Sequence, residues 1–488
     1  NVLGPWERPL IASERLTVGR LLQQHGYATA CVGKWHLGLT YATTDRQPPS
    51  LGTRTAPGNL DFTRPIADGP ITRGFDHYFG TNVPNHPPFC FVNDDRTVGT
   101  PMWGVTAAAD EPDAPGPRVP GWKLADILPG LTRHAVQWIE DSAKKPKPFF
   151  LYFSLTSPHY PVVPSPEFVG KSKAGRYGDF VEQTDWTIGQ VLAALQRSGV
   201  ADNTLVIVTS DNGCSPQAGT PALEKQGHFA SAEFRGYKAD IWDGGHRVPF
   251  LARWPDKIKS ASTSAQLICH VDLLATCAEI LGTPLPANAG EDSVSIFPAL
   301  LGTDRAPLHE AVVHLSIQGM FSLRQGPWKL ELCPGSGGWA APLDPAARKA
   351  GLSEIQLYNL AADPAESKNL AKTEPGRARE LLAKLRRLLS GLAGATGAEL
   401  HDEEAGGGRK DAAAAERLPL AGLTSGADVK LGSAGEDLIL LGRPVLGHLL
   451  RRAFEDVEFT DETDRGVLFT AGVDDLGLEF HVGFARSQ

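Results

Sequence analysis

The chain has no apolar run long enough to span a bilayer. It has no basic tract or stripe, and its formal charge of −9 fits a general nucleic-acid binder poorly. Cysteine is scarce: Cys31, Cys90, Cys214, Cys269, Cys277 and Cys333 are the full set, and none forms a Cys-x-x-Cys pair. That argues against a zinc knuckle or a thioredoxin-like centre, while leaving room for a few disulfides and deciding no redox compartment. Methionine occurs twice, and residue 1 is Asn. The opening Asn-Val-Leu-Gly-Pro-Trp-Glu-Arg lacks a basic start followed by an apolar run, so it is no signal peptide, and the start is expected to be cut. What is present is ordinary for a soluble globular protein: 41% hydrophobic and 21% charged residues in a chain of 488. That length suits two or three domains with a large core.

The first half alternates helical and strand-like segments. Residues 14–25 carry Leu16, Leu21 and Leu22 on a helical pattern, with Gly26 as a stop. Residues 27–32 read as a short buried strand. An amphipathic helix over 131–145 leads into the apolar run 148–155, a second strand. A helix over 179–197 precedes 204–209, which is rich in β-branched residues. Residues 248–254 give another strand and 271–281 another helix. Such alternation predicts an α/β domain with a mainly parallel sheet flanked by helices. From about residue 311 the pattern changes. A strand at 312–315, a hairpin at 320–332 turning at Gly326-Pro327, a strand at 356–358 and an amphipathic helix over 377–392 predict a small antiparallel sheet plus helix. The expected domains are 1–305 and 306–396. Residues 397–417, with Gly-Gly-Gly and Ala-Ala-Ala-Ala, read as a linker, and 418–488 receive no fold.

The chemistry-bearing pieces sit where expected strands end, which is where open α/β sheets build sites. In Val32-Gly33-Lys34-Trp35-His36-Leu37-Gly38, extended alternation puts Lys34 and His36 on one side and Trp35 on the other. A cation beside an imidazole suits an anionic substrate; an isolated Lys-x-His is more often a surface lysine next to a half-buried histidine. In Ser157-Pro158-His159-Tyr160-Pro161, flanking prolines aim His159, although alone this is more often a rigid loop. In Thr209-Ser210-Asp211-Asn212-Gly213, Asp211 and Asn212 offer hard oxygen ligands suited to calcium or magnesium; the bland alternative is an Asn-Gly turn. Phe234-Arg235-Gly236-Tyr237-Lys238 adds a second lysine.

In this order and spacing the pieces resemble the formylglycine-dependent sulfatases of the alkaline phosphatase superfamily. The likeness runs from Gly26-Tyr27-Ala28-Thr29-Ala30 through Gly38, Gly74-Phe75-Asp76, the Ser-Pro-His loop, Tyr177-Gly178-Asp179 and Ser210-Asp211-Asn212-Gly213. It continues through Arg235-Gly236-x-Lys238, Gly244-Gly245-x-Arg247-Val248-Pro249, Arg324-x-Gly326-Pro327-Trp328-Lys329-Leu330, Leu357-Tyr358-Asn359-Leu360 with Asp363-Pro364, and Asn369-Leu370. It covers residues 1 to about 395, and the arylsulfatase A and N-acetylgalactosamine-6-sulfatase branch is nearest, from Gly170-Lys171-Ser172. The resemblance implies an alkaline-phosphatase-like fold and hydrolysis of sulfate esters of carbohydrates or aryl alcohols. It implies Asp211 and Asn212 as calcium ligands, and Lys34 and Lys238 as neutralisers of the sulfate oxygens. It places His36 beside the nucleophile and makes His159 the proton donor to the leaving group. A sulfate monoester needs such fixed cations, a metal and a titratable donor.

The family's nucleophile comes from a Cys/Ser-x-Pro-Ser-Arg motif, matured by a formylglycine-generating enzyme. No Cys or Ser here begins that motif; Cys214-Ser215-Pro216 continues Gln217-Ala218. The family's Asp-Asp metal pair is also absent upstream, and residue 1 is expected to fall after both, leaving this chain inactive alone. Val473-Asp474-Asp475 resembles that pair as a circular permutation would place it, without a nucleophile motif behind it; Asp94-Asp95 is a weaker match. Two other readings stand: a phosphate or phosphonate ester hydrolase of the same superfamily, and a non-catalytic sulfatase-like binding protein. Asp76, His77, Asp243 and His246 are further candidates for the pocket, with a structural role favoured for His77. Family habit implies an extracytoplasmic location.

Overall fold

The computed structural model describes residues 3, 7–52, 58–107, 115–396 and 480–485. In chain order its elements begin α1 (Val18–Gln24), β1 (Ala28–Lys34), β2 (His77–Thr81), β3 (Val92–Asn93), β4 (Arg96–Thr97), α2 (Ile127–Ala143), β5 (Phe149–Ser154), α3 (Gly175–Arg197) and β6 (Leu205–Ser210). There follow α4 (Thr220–Glu224), α5 (Asp243–His246), β7 (Phe250–Arg253), α6 (Asp272–Ile280) and α7 (Phe297–Leu301). The remainder is β8 (Val312–Leu315), β9 (Phe321–Gln325), β10 (Trp328–Glu331), α8 (Asp344–Lys349), β11 (Gln356–Asn359), α9 (Pro375–Thr396) and β12 (Phe480–Ala485). The chain divides into two compact units. Of the described residues, the larger takes those up to 233, 246–309 and 480–485; the smaller takes Phe234–Gly245 and 310–396.

The larger unit holds an eight-stranded sheet in the order β4-β3-β2-β1-β5-β12-β6-β7. β1 pairs parallel with β2 and β5. β12 runs antiparallel to both β5 and β6, so β6 points the same way as β5. β2, β1, β5 and β6 thus bring their C-terminal ends to one edge. The sheet is mixed, because β7 is antiparallel to β6 and the β3–β4 hairpin is antiparallel to β2. β1, β5 and β6 are buried along nearly their whole length, which is why they read as unbroken apolar runs. α2 and α3 supply the cover. Leu128, Leu131, Ala135 and Ile139 of α2 meet Val32, Leu151, Phe153 and Val206 of the strands and Val191 and Leu195 of α3 in one core. Each such side chain contributes about 1.5–3 kcal/mol on burial.

Helix boundaries differ from expectation for local reasons. The first helix begins only at Val18, where the Thr17 hydroxyl accepts from Arg20 N at 3.0 Å and caps it. α2 starts four residues early because Pro129 falls in its first turn, where no intrahelical amide is needed. α3 takes in Tyr177-Gly178-Asp179, and the Asp179 carboxylate accepts from Gly170 N and Ser172 N, both at 2.8 Å, fixing the loop that enters it. All six cysteines are free thiols.

The smaller unit is the antiparallel sheet β11-β10-β9-β8 with α9 packed on it. Ala378, Leu381, Leu382 and Leu385 of α9 bury against Leu323, Leu330 and Leu357. Among the described residues no helix is long and apolar enough to cross a membrane. The expected linker, and residues 418–479 including Asp474-Asp475, lie outside the described residues.

Candidate active site

Lys34 ends β1, and a glycine makes its position reachable. Gly33 has φ +122°, and a Cβ there would lie 1.8 Å from the Ser154 carbonyl oxygen of the neighbouring strand. The Ser154 hydroxyl donates to Lys34 O at 2.6 Å, tying the end of β1 to the end of β5. Lys34 then lines a cavity in the larger unit together with His159, which follows β5. The sheet thereby brings two of the expected site residues to one cavity. Thr156 and Tyr160 line it too, with the apolar Leu124, Ile127, Val163 and Phe180. Those four were not legible as site residues in the sequence, because α2, α3 and their loops reach the cavity only through packing.

His36 departs from the expected alternation. The extended run stops at Lys34, and His36 adopts φ +49°, which turns it out of the strand register it would share with Lys34. Its Nε2 lies 2.8 Å from Leu3 O, so that nitrogen carries the proton and donates. Trp35 is buried, with Nε1 donating to Gly38 O at 2.9 Å. Lys34 and His36 therefore do not form a same-side pair on an extended strand; left-handed backbone at His36 replaces it.

The His159 loop is held from below. The Ser157 and Thr184 hydroxyls are 2.7 Å apart, and Thr184 lies 2.7 Å from Phe180 O, so α3 anchors the turn. His159 Nδ1 is in a short hydrogen bond with Tyr160 O. A carbonyl only accepts, so Nδ1 carries hydrogen and Nε2 is the nitrogen that can exchange a proton.

Asp211 and Asn212 follow β6 at the same sheet edge, in a turn closed by the Ser210 hydroxyl on Asn212 O at 2.9 Å. The Asn212 amide nitrogen donates to Gly213 O at 3.3 Å, leaving its oxygen as the donor atom for a cation. A carboxylate and an amide oxygen fit calcium in kind. They fill only part of the six to eight oxygens it takes.

Lys238 belongs to the smaller unit and is half-buried. It sits between Gly236 at φ +85° and Ala239 at φ +82°. A non-glycine residue in that region is strained, and such strain persists only where surroundings over-determine it.

Asp76, His77 and Asp243 have structural partners. The Asp76 carboxylate accepts from Gln23 Nε2 and Thr29 N. His77 bridges Asp94 Oδ1 and His134 Nε2, each at 2.7 Å. Asp94, at φ +54°, forms the β3–β4 hairpin turn with Asp95, which accounts for that Asp-Asp pair. Asp243 enters a buried charge network in the smaller unit, and His246 is buried. One metal-competent cluster escaped the sequence: Cys269, Asp272 and His309 place a thiol, a carboxylate and an imidazole within 4.8 Å of one another. Its carboxylate already accepts from Cys269 N, Val294 N and His309 Nε2, bonds that tie the start of α6 to the segments around it.

A family description, Sulfatase, matches residues 3–283, more than half of the chain. The chain belongs to the sulfatase family. Sulfatases are sulfuric ester hydrolases. N-acetylgalactosamine-6-O-sulfatase of Bacteroides thetaiotaomicron is 32% identical over 418 residues, covering 76% of each chain. Human arylsulfatase A is 29% identical over 409 residues, 80% of this chain and 73% of its own. A solved structure from work on the metabolism of multiple glycosaminoglycans by Bacteroides thetaiotaomicron matches with a TM-score of 0.65 at 29% identity, covering 79% of this sulfatase and 84% of that chain. The mixed main sheet with a separate four-stranded antiparallel sheet is thus a sulfatase fold of the alkaline-phosphatase-like kind.

Proposed function

We propose that this sulfatase binds sulfate esters of carbohydrates or aryl alcohols at the C-terminal edge of its main sheet, in a calcium-dependent, extracytoplasmic enzyme. The observation that most supports this is that Lys34 and His159 line the same cavity. The Lys34 ammonium neutralises sulfate oxygens as charge builds on them. As an imidazolium, His159 gives its Nε2 proton to the departing alkoxide, since Nδ1 is committed to Tyr160 O. His36, with Nε2 donating to Leu3 O, acts through Nδ1 in turnover beside the nucleophile. Lys238 is the second sulfate-neutralising cation. Calcium held by Asp211 and Asn212 would add fixed positive charge toward the sulfate oxygens. A formylglycine made by a formylglycine-generating enzyme would supply the nucleophile. The 488 residues contain no Cys/Ser-x-Pro-Ser-Arg motif, so this chain alone binds sulfate esters without turning them over. The apolar Leu124, Ile127, Val163 and Phe180 that line the cavity suit an aryl group or the carbon face of a sugar ring.

Titration of the full chain with an aryl sulfate and the matched aryl phosphate tests this. Lys34→Ala is expected to weaken aryl sulfate binding by about tenfold or more, the scale of one lost charge-assisted contact. His159→Ala is expected to leave binding within about threefold, because its role lies in leaving-group departure. Tighter binding of the phosphate would favour a phosphate-ester hydrolase. Sulfate-ester turnover above that of the Lys34→Ala variant would overturn the claim that the chain alone is inactive.

A further inference from the structure

The segment Phe234–Gly245, which carries Lys238, is fastened to the rest of the smaller unit with unusual density. Asp243 Oδ1 lies 2.7 Å from Lys329 Nζ, and Lys329 Nζ lies 2.7 Å from Glu366 Oε1 and 3.2 Å from Glu331 Oε1. The Arg324 guanidinium stands 3.5 Å from Asp243 Oδ2. Lys329, Glu331 and Glu366 are wholly enclosed, and Arg324 and Asp243 nearly so. The network reaches the main chain as well as side chains: Asp243 N donates to Glu366 Oε2 at 2.6 Å, and Arg235 donates to Glu366 O at 2.9 Å. Arg235 also lies over the Trp242 ring, 3.6 Å from its centre.

A second anchor sits two residues from Lys238. Asp240 is fully buried; its Oδ2 accepts from Tyr237 N at 2.8 Å, and its Oδ1 accepts from Trp339 N at 2.6 Å and Ala340 N at 2.9 Å. Ala239 O accepts from Ile317 N at 2.9 Å. The turn is too tight for side chains at its crossing points. A Cβ at Gly244 would lie 2.3 Å from Gly236 O, and one at Gly338 would lie 2.5 Å from Ala239 O.

Five sealed ionisable groups are a poor route to stability, since well-packed apolar replacements often do as well or better. What such a network does supply is one geometry, because each displaced member leaves another charge uncompensated. Here that geometry is the backbone on both sides of Lys238, held in left-handed conformations at Gly236 and Ala239. We propose that Lys329, Glu366 and Asp243, with Asp240, are positioning residues for Lys238, fixing the backbone that carries its ammonium. The inference rests on reading Lys238 as a sulfate-binding cation.

The test compares full-length Lys329→Met/Glu366→Leu, Glu366→Gln and Asp240→Asn with Lys238→Ala and with Leu381→Ala. Leu381 is buried on the inner face of α9, outside the network, so its variant controls for lost stability. Two quantities are read: affinity for inorganic sulfate, and hydrogen exchange of the amides in 236–245. Lys238→Ala should weaken sulfate binding by about tenfold while leaving exchange unchanged. The network and Asp240 variants should weaken binding comparably and speed exchange in 236–245. The double variant should do so and, because Asp243 and Glu331 lose Lys329, should also melt lower; Leu381→Ala should lower melting temperature without either effect. Network variants that bind sulfate as the parent does would overturn the positioning role. Unchanged binding by Lys238→Ala with fast exchange in the network variants would instead overturn the role of Lys238, leaving the fastening itself intact.

Discussion

At the scale of single residues, the site depends on atoms that are missing. Gly33 lets β1 lie against β5 with a backbone angle that an L side chain resists. Gly33→Ala is expected to destabilise the larger unit by about 2–4 kcal/mol, from strained φ plus a clash with Ser154 O. Urea unfolding monitored by tryptophan fluorescence measures it; a loss under about 0.5 kcal/mol would show that the strand end relaxes freely. Lys34 was legible because Gly-Lys-x-His is a compact motif at a strand end. The orientation of His36 was not, because alternation assumes an extended chain and the strand ends one step too soon.

At the scale of elements, a three-residue relay ties α2 to the sheet edge. His77 Nδ1 donates to Asp94, which leaves its Nε2 to accept from His134 Nε2 2.7 Å away. The His134 ring also stacks on Phe79, 4.0 Å between centres. Burial, then the neighbouring His77, pushes His134 down to about 4. The folded state therefore resists protonation between the ordinary imidazole value near 6.5 and about 4, where the unfolded chain accepts it. Stability should fall as pH drops through that window. His134→Phe keeps a ring on Phe79 without the titration, so its stability should vary less with pH from 7 to 4.5 than the parent's. Equal slopes in urea melts would remove His134 from the acid response. None of this was visible beforehand, because His77, Asp94 and His134 are brought together by a hairpin and a helix far apart in sequence.

At the scale of the whole molecule, calcium offers a stability readout separate from chemistry. A cation bound only by the folded chain stabilises it by about 2.7 kcal/mol at a hundred times its dissociation constant. Melting temperature is expected to rise with added calcium, and the rise should vanish in Asp211→Asn, which keeps the shape of the side chain but not its charge. A calcium response identical in the variant would place the cation elsewhere, and Cys269–Asp272–His309 would be the next position to examine. The larger unit also shows how distant segments complete one sheet: β12, from the end of the chain, lies between β5 and β6.

The sequence by itself determined the parallel-running strands, the antiparallel sheet with its helix, and the loops bearing Lys34, His159, Asp211 and Asn212. Those features are local: apolar runs of strand length, turn residues at fixed offsets, and polar groups placed just beyond strand ends. Tertiary structure alone decided that Lys34 and His159 line one cavity, that β12 enters the middle of the sheet, and that Phe234–Gly245 joins the smaller unit. Each of these depends on pairing or packing between residues tens to hundreds of positions apart, and periodicity along a chain carries no information about which distant segments will meet.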